Sequence, residues 1–309
     1  MTDGTRGTRG TRGTRGTRGT VAITGASGYL GGVIFRRLSA DGWSTLSLVR
    51  TVSDDRSRRY VIDEELASDL LDGVDVLIHC AYDMTLRSRD AIWRVNVDGT
   101  RKLLDAAARS GVGCTIVLSS MSAYEGTEQL YGLSKLDIER DVSTIGGISV
   151  RPGLVYGPTA GGMAGTLSKL TALPVVPVVA SRAYQFTVHE DDFAEAIAAL
   201  ILAGAGAGSA GPIGIANPQP VPFRQVIEGL ARMQDNHCRT VAVDWRLVHA
   251  ALRMAERLSI ALPFRADSLL GLAQPAPSVP NLTVLAELGV SLRRFGQPVP
   301  SVRAYPKTT

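Results

Sequence analysis

A doubly wound, parallel α/β sheet is the architecture this sequence predicts. Three observations carry it. Short apolar runs alternate with stretches of helical periodicity from Val21 to Arg151. The first run ends in Gly25-x-x-Gly28-x-x-Gly31, a turn that opens directly into a helical pattern. The run Val74–Cys80 is apolar without alternation, as a strand covered on both faces must be.

Each element has its own signal. Val21–Thr24 reads as the first strand. Tyr29–Ala40 places Leu30, Val33, Ile34 and Leu38 on one helical stripe, with Gly42 just beyond its end. Ser44–Val49 reads as strand two and Arg59–Ile62 as strand three. Leu66–Leu71 is expected to be helical, Val74–Cys80 to be strand four, and Ile92–Arg109 to be one long helix. Gly113–Ser119, Tyr131–Ser143 and Ile148–Arg151 complete the pattern as strand, helix and strand. Right-handed crossovers then cover both faces with helices, and a ligand belongs at the carboxyl ends of the strands.

After Arg151 proline and glycine become frequent. Helices are expected at Phe193–Leu202 and Arg246–Ile260, with Gly204–Pro222 as a connection. The domain reading is a tail over 1–19, a dinucleotide-binding Rossmann-type domain over 20–160, and a small C-terminal substrate lobe over 161–309, partly interleaved with the sheet. In the tail, Gly-Thr-Arg repeats five times from Gly4 to Arg18; without proline or apolar residues it predicts disorder.

The tail also explains the pI of 9.1. It holds five arginines and Asp3, a formal +4, and the whole chain is +4. The body is therefore neutral (4 − 4 = 0), with no global field to attract nucleic acid or a membrane surface. Cys80, Cys114 and Cys238 have no metal-ligand spacing, the four histidines are scattered, and no bound metal is expected. This usage, together with the lack of a secretory signal or a spanning apolar run, points to the cytoplasm.

The glycine turn has a physical purpose. Gly25 permits a tight turn, Gly28 lets backbone approach a phosphate, and Gly31 lets helix and strand pack closely. Strand two ends at Arg50, where a guanidinium suits a 2′-phosphate; this favours NADP(H) over NAD(H). Tyr131 and Lys135 are four residues apart and share a helix face. An ammonium beside a phenol is expected to lower its pKa, preparing it for proton transfer to or from a carbonyl. Ser120, at the carboxyl end of strand five, can bond the reacting oxygen, with Ser119 as runner-up. His79 reads as a core histidine with satisfied hydrogen bonds.

The glycine spacing, Tyr131-x-x-x-Lys135, Ser119-Ser120-Met121-Ser122-Ala123-Tyr124 and Arg151-Pro152-Gly153-Leu154-Val155-Tyr156-Gly157-Pro158 together resemble the extended short-chain dehydrogenases/reductases, the NAD(P)-dependent epimerase/dehydratase family. The resemblance implies Ser120, Tyr131 and Lys135 as the catalytic trio, Ser120 because it lies four residues before Tyr124. It implies cofactor contacts from Gly25, Ser27, Gly28, Tyr29, Leu30 and Gly31, from Asp63 at the adenine, and from Ala81, Tyr82, Lys135 and Pro152. Asn96 is implied to order the helix beneath the site. Dehydrating members carry an Asp-Glu pair where Met121 and Ser122 follow Ser120, so 4,6-dehydration is not expected. His189 and Asp192 read as ties between the lobe and the sheet. The leading expectation is a ketoreductase acting on a small carbonyl compound or a sugar. A nucleotide-sugar epimerase holding NAD, and a non-catalytic dinucleotide sensor or assembly subunit, stay open beside it. A homodimer paired through the helices after strands four and five is a further implication of the resemblance.

Overall fold

A computed structural model of the chain describes residues 18–159, 161–179, 183–208, 210–258 and 266–297. The Gly-Thr-Arg tail lies outside the described residues except for Arg18 and Gly19, and so does the end of the helix expected to reach Ile260.

The chain begins with β1 (Thr20–Thr24), α1 (Tyr29–Ala40), β2 (Ser44–Val49) and β3 (Ser57–Arg59). It continues through β4 (Val76–His79), α2 (Arg89–Ile92), one π-helical turn (Trp93–Val97) and α3 (Asp98–Arg109). Next come β5 (Cys114–Leu118), α4 (Leu130–Thr144) and β6 (Ile148–Pro152). The remainder supplies β7 (Leu154–Tyr156), α5 (Gly162–Leu170), β8 (Val175–Val179), β9 (Tyr184–Gln185), β10 (Thr187–His189) and α6 (Glu190–Ala203). It ends with β11 (Ile213–Ile215), β12 (Val221–Pro222), α7 (Phe223–Arg232), β13 (Arg239–Val243), α8 (Trp245–Arg257), α9 (Ala266–Ala273) and α10 (Leu282–Glu287).

Seven parallel strands form the central sheet in the order β11-β6-β5-β4-β1-β2-β3. Winding reverses between β1 and β4, so the loops leaving these two strands diverge and open a crevice. Alternation along β1 serves both faces. Val21 and Ile23 pack with Val33, Ile34 and Leu38 of α1 and with Phe193 and Ile197 of α6. Ala22 turns the other way, toward Leu103 and Ala107 of α3. Each fully buried side chain of this size contributes about 1.5–3 kcal/mol, so the sheet is a rigid floor for the loops at its edge.

Four expectations differ from the structure. Strand three lies at Ser57–Arg59, not Arg59–Ile62. Ser57 Oγ accepts from the N–H groups of Ser53 and Asp54, both at 3.1 Å, and that turn launches the strand early. The expected helix at Leu66–Leu71 is a series of turns. Arg58 donates to the carbonyls of Asp69, Leu70 and Asp72, tying these turns to β3. The long helix from Ile92 is interrupted by the π-helical turn. Finally, Gly204–Pro222 is more than a connection: it holds β11, which pairs with β6 and closes the sheet edge.

Asp192 holds distant segments together, whereas the His189 side chain acts locally. His189 caps α6 by accepting from the N–H of Asp191 at 3.2 Å. Asp192 receives the backbone N–H and the Nε of Arg293, both at 2.8 Å.

Candidate active site

The glycine turn behaves as the residue types require. Gly25 has φ of +67°, and a Cβ there would lie 3.0 Å from the amide nitrogen of Ala81. A Cβ on Gly31 would overlap the carbonyl oxygen of Gly25. Gly28 occupies the N-cap of α1 and no side chain caps the helix. The first-turn N–H groups, with the positive end of the helix dipole, are left for an anion. Ser27 is exposed beside them. A cradle that any Cβ would fill, at the start of an uncapped helix, fits the pyrophosphate of a dinucleotide.

Behind this turn runs a chain of buried polar groups whose hydrogens can be assigned. Thr24 Oγ1 accepts from the N–H groups of Cys80 and Ala81, both at 3.0 Å. Its own proton then goes to His79 Nδ1 at 2.8 Å. The Nε2–H of His79 donates to Thr100 Oγ1 at 2.9 Å, and Thr100 donates to the carbonyl of Asn96 at 2.6 Å. His79 is thus a neutral core residue bonded at both nitrogens, and burial holds its pKa down at about 3. The Asn96 side chain accepts from the N–H of Asp83 at 2.7 Å and donates to the Asp83 carbonyl at 3.2 Å. It lies within the π-helical turn, and it clamps the loop that carries Tyr82.

Tyr131, Lys135 and Ser120 converge from α4 and the loop after β5. Gly132 makes this approach possible, because a Cβ there would overlap the carbonyl oxygen of Ser122. Ser120 and Tyr131 line the same cavity, and Ser120 Oγ accepts from the N–H of Ser122 at 3.1 Å. Ser119 points elsewhere: it donates to Glu139 Oε1, which also receives Arg151 Nε at 2.7 Å, while Arg151 Nη2 reaches Glu139 Oε2 at 2.6 Å. Lys135 Nζ donates to the Leu118 carbonyl at 2.6 Å and sits 4.5 Å from the Tyr82 ring centre and 5.8 Å from that of Tyr131. Ser134 gives its proton to the Tyr131 carbonyl, so the Tyr82 phenol donates to Ser134 Oγ at 2.8 Å. The rings of Tyr82 and Tyr131 meet edge to face, 5.1 Å apart.

The electrostatics correct one expectation. Burial raises the Tyr131 phenol above its ordinary value near 10, and the Ser120 hydroxyl only partly offsets this. Lys135 does not lower it, because burial pushes the ammonium itself down to about 8 and a peptide carbonyl engages it. Removal from water outweighs a charge that is itself poorly solvated.

These groups line one cavity of about 680 Å³. Gly25, Gly28, Tyr29, Leu30, Gly31, Tyr82, Ser120, Tyr131, Lys135 and Pro152 all contribute to its wall. Arg50 and Asp63 stand outside that wall, exposed at the ends of β2 and after β3. Ala81 and Asn96 act from behind it through the bonds above. Tyr29 does more than offer backbone: its hydroxyl donates to Glu190 Oε2 at 2.8 Å, tying the turn to α6. Several wall residues carry no local sequence signal. Met84, Met121, Gln129, Met163, Gln185 and Leu272 come from five separate segments and meet only in the folded chain.

Fold and site define a nicotinamide-dinucleotide enzyme of the short-chain dehydrogenase/reductase type. Residues 21–213 match the NAD dependent epimerase/dehydratase family, and the chain belongs to that family. Among curated relatives, the ceramide reductase of Caulobacter vibrioides is 34% identical over 191 residues, covering 58% of this chain and 60% of that protein. The chain thus spans less than two thirds of that relative's length. Among solved structures, MoeE5 in complex with UDP-glucuronic acid and NAD aligns with a TM-score of 0.67 at 19% identity, covering 89% of this chain and 94% of that one. The UDP-N-acetylglucosamine 4-epimerase of Bacillus cereus aligns at 0.63 with 16% identity, covering 81% and 93%. Among the described residues, no helix is long and apolar enough to cross a membrane.

Proposed function

We propose that this chain is an NAD(P)-dependent carbonyl reductase in which Tyr131 protonates the substrate oxygen. The observation that carries the reading is the convergence of Ser120, Tyr131 and Lys135 on the wall of the cavity that also holds the glycine turn. A bound nicotinamide coenzyme would supply the hydride. The residues that would hold it are the turn backbone from Gly25 to Gly31, Ser27, Ala81, Tyr82, Lys135 and Pro152, with Asn96 steadying the Asp83 loop. Arg50, exposed at the end of β2, favours NADP(H), and Asp63 would stand near the adenine.

The proton chemistry follows from the environment. A buried phenol with a raised pKa stays protonated at neutral pH, which suits it to donate to an oxygen gaining negative charge. Ser120 is placed to hydrogen-bond the same oxygen. Lys135, held by the Leu118 carbonyl, keeps a positive charge beside both rings over the pH range below about 8. Ser119 is read as structural, since its hydroxyl is committed to Glu139.

Reduction of a ketone is supported over sugar epimerisation by the wall, where Met84, Leu86, Met121, Leu154, Met163 and Leu272 face the cavity. The relationship to a ceramide reductase adds support. The three free cysteines agree with work in the cytoplasm. The test is to identify the coenzyme that purifies with the protein, then to follow NADPH and NADH oxidation against a panel of ketones and UDP-sugars. Ketone-dependent NADPH oxidation that is lost in Tyr131→Phe supports the reading. Interconversion of UDP-sugars with no net coenzyme consumption overturns it.

A further inference from the structure

We infer that Gln129 is the polar reader of an otherwise apolar substrate pocket, and that the substrate is an apolar ketone carrying a hydrogen-bond acceptor close to the reacting carbonyl. The inference rests on the reductase reading and names its substrate class. Gln129 is 2% exposed, lies two residues before Tyr131 and faces the same cavity. It occupies the N-cap position of α4, yet its side chain caps nothing. Its amide Nε2 is buried without a hydrogen-bond partner among the described residues. A buried amide N–H is satisfied in nearly every native site, by protein, water or ligand.

The surroundings reserve space for this amide. Gly271 of α9 faces it, and a Cβ at Gly271 would lie 2.9 Å from Gln129 Oε1. The segment that follows is pinned across the cavity by three side chains. Gln185 Nε2 donates to the Leu272 carbonyl at 3.3 Å, the Tyr124 hydroxyl to the Gln274 carbonyl at 3.1 Å, and the Tyr184 hydroxyl to the Ala276 carbonyl at 3.3 Å. Between this roof and the catalytic pair, the wall offers the methionines and leucines named above, and Gln129 is a neutral donor among them. A hydroxyl, ether or amide oxygen next to the ketone would accept from Nε2. An apolar chain would lie along Met84, Leu86, Leu154 and Met163.

Two ketones test this: methyl nonyl ketone and hydroxymethyl nonyl ketone, which differ only by a hydroxyl beside the carbonyl. kcat/KM for both is measured with NADPH for the full chain and for Gln129→Met and Gln129→Leu. Comparing ratios across variants cancels the intrinsic reactivity of the two compounds. Expected is a preference for the hydroxyketone that falls about tenfold to a hundredfold in both variants, each of which has lost the N–H donor. NADPH binding, read by its fluorescence, and the thermal transition show that the variants remain folded. If either folded variant keeps the wild-type ratio, the inference is overturned and the reductase reading stands. A wild-type protein that binds NADPH and reduces neither ketone, but interconverts UDP-sugars, overturns both.

Discussion

The two walls of the cavity are built on opposite terms. On the coenzyme side, polar groups are buried and paired: Thr24, His79, Thr100 and Asn96 form one connected chain, and Ser119, Glu139 and Arg151 form another. On the roof side the surfaces are apolar, and the buried amide of Gln129 is left unpaired. The side-chain networks behind the first wall are complete before any ligand arrives, so they serve as fixed scaffold, while the first-turn N–H groups of α1 stay open for an anion. The second is incomplete by itself, which is the condition for discriminating among ligands.

Substitutions can break this contrast or sharpen it. The largest effect belongs to Tyr131→Phe. It should lower kcat by about 100- to 10,000-fold, the range for a positioned acid, with little change in the thermal transition. A small loss in steady-state turnover would remove Tyr131 from the chemistry. Next is Arg151→Met, which strands Glu139 in a site where the two side chains are 13% and 8% exposed. Losing one partner of such a buried pair costs about 3–5 kcal/mol, readable by urea unfolding. A loss below 1 kcal/mol, roughly the value of a surface pair, would mean that this wall is not pre-assembled.

On stability, Lys135→Met has a smaller effect, confined to its pH dependence. The folded-state pKa near 8 lies below the ordinary 10.5, so between these values the unfolded chain binds more protons and stability rises with pH. Above about 10 the buried phenols of Tyr131 and Tyr60 reverse the trend, because their raised values favour the protonated fold. The wild-type minus Lys135→Met difference in unfolding free energy should therefore climb from about pH 8 to 10; a flat difference would mean that the ammonium is solvated. Smallest is Met84→Ala on the apolar wall, 51% exposed. Stability should move by no more than about 0.5 kcal/mol while KM for long-chain ketones rises. An unchanged KM would take Met84 out of the substrate path.

The same contrast explains what could be read from the chain itself. The glycine turn, Ser120 and the pair Tyr131–Lys135 each sit within a few residues of a strand end or on one helix face, so local spacing betrays them. The roof offers no such signal. Leu272 and Gly271 reach Gln129 from more than a hundred residues away, and only the fold joins them. Elements failed to show in the sequence for a related reason. Arg58 ties the turns at 68–72 to β3 through the carbonyls of residues 69, 70 and 72, a tertiary contact that apolar periodicity does not register. The lowered pKa expected of Tyr131 was likewise a pairwise argument, and burial, a property of the whole assembly, reversed it.

The chain from Thr24 to Asn96 has a consequence for proton traffic. Each hydrogen in it has a single address, and the last acceptor is a peptide carbonyl, which has no proton to hand onward. It is a brace, and it ends blind. On the proposed reading, the Tyr131 phenol is therefore not recharged through this chain.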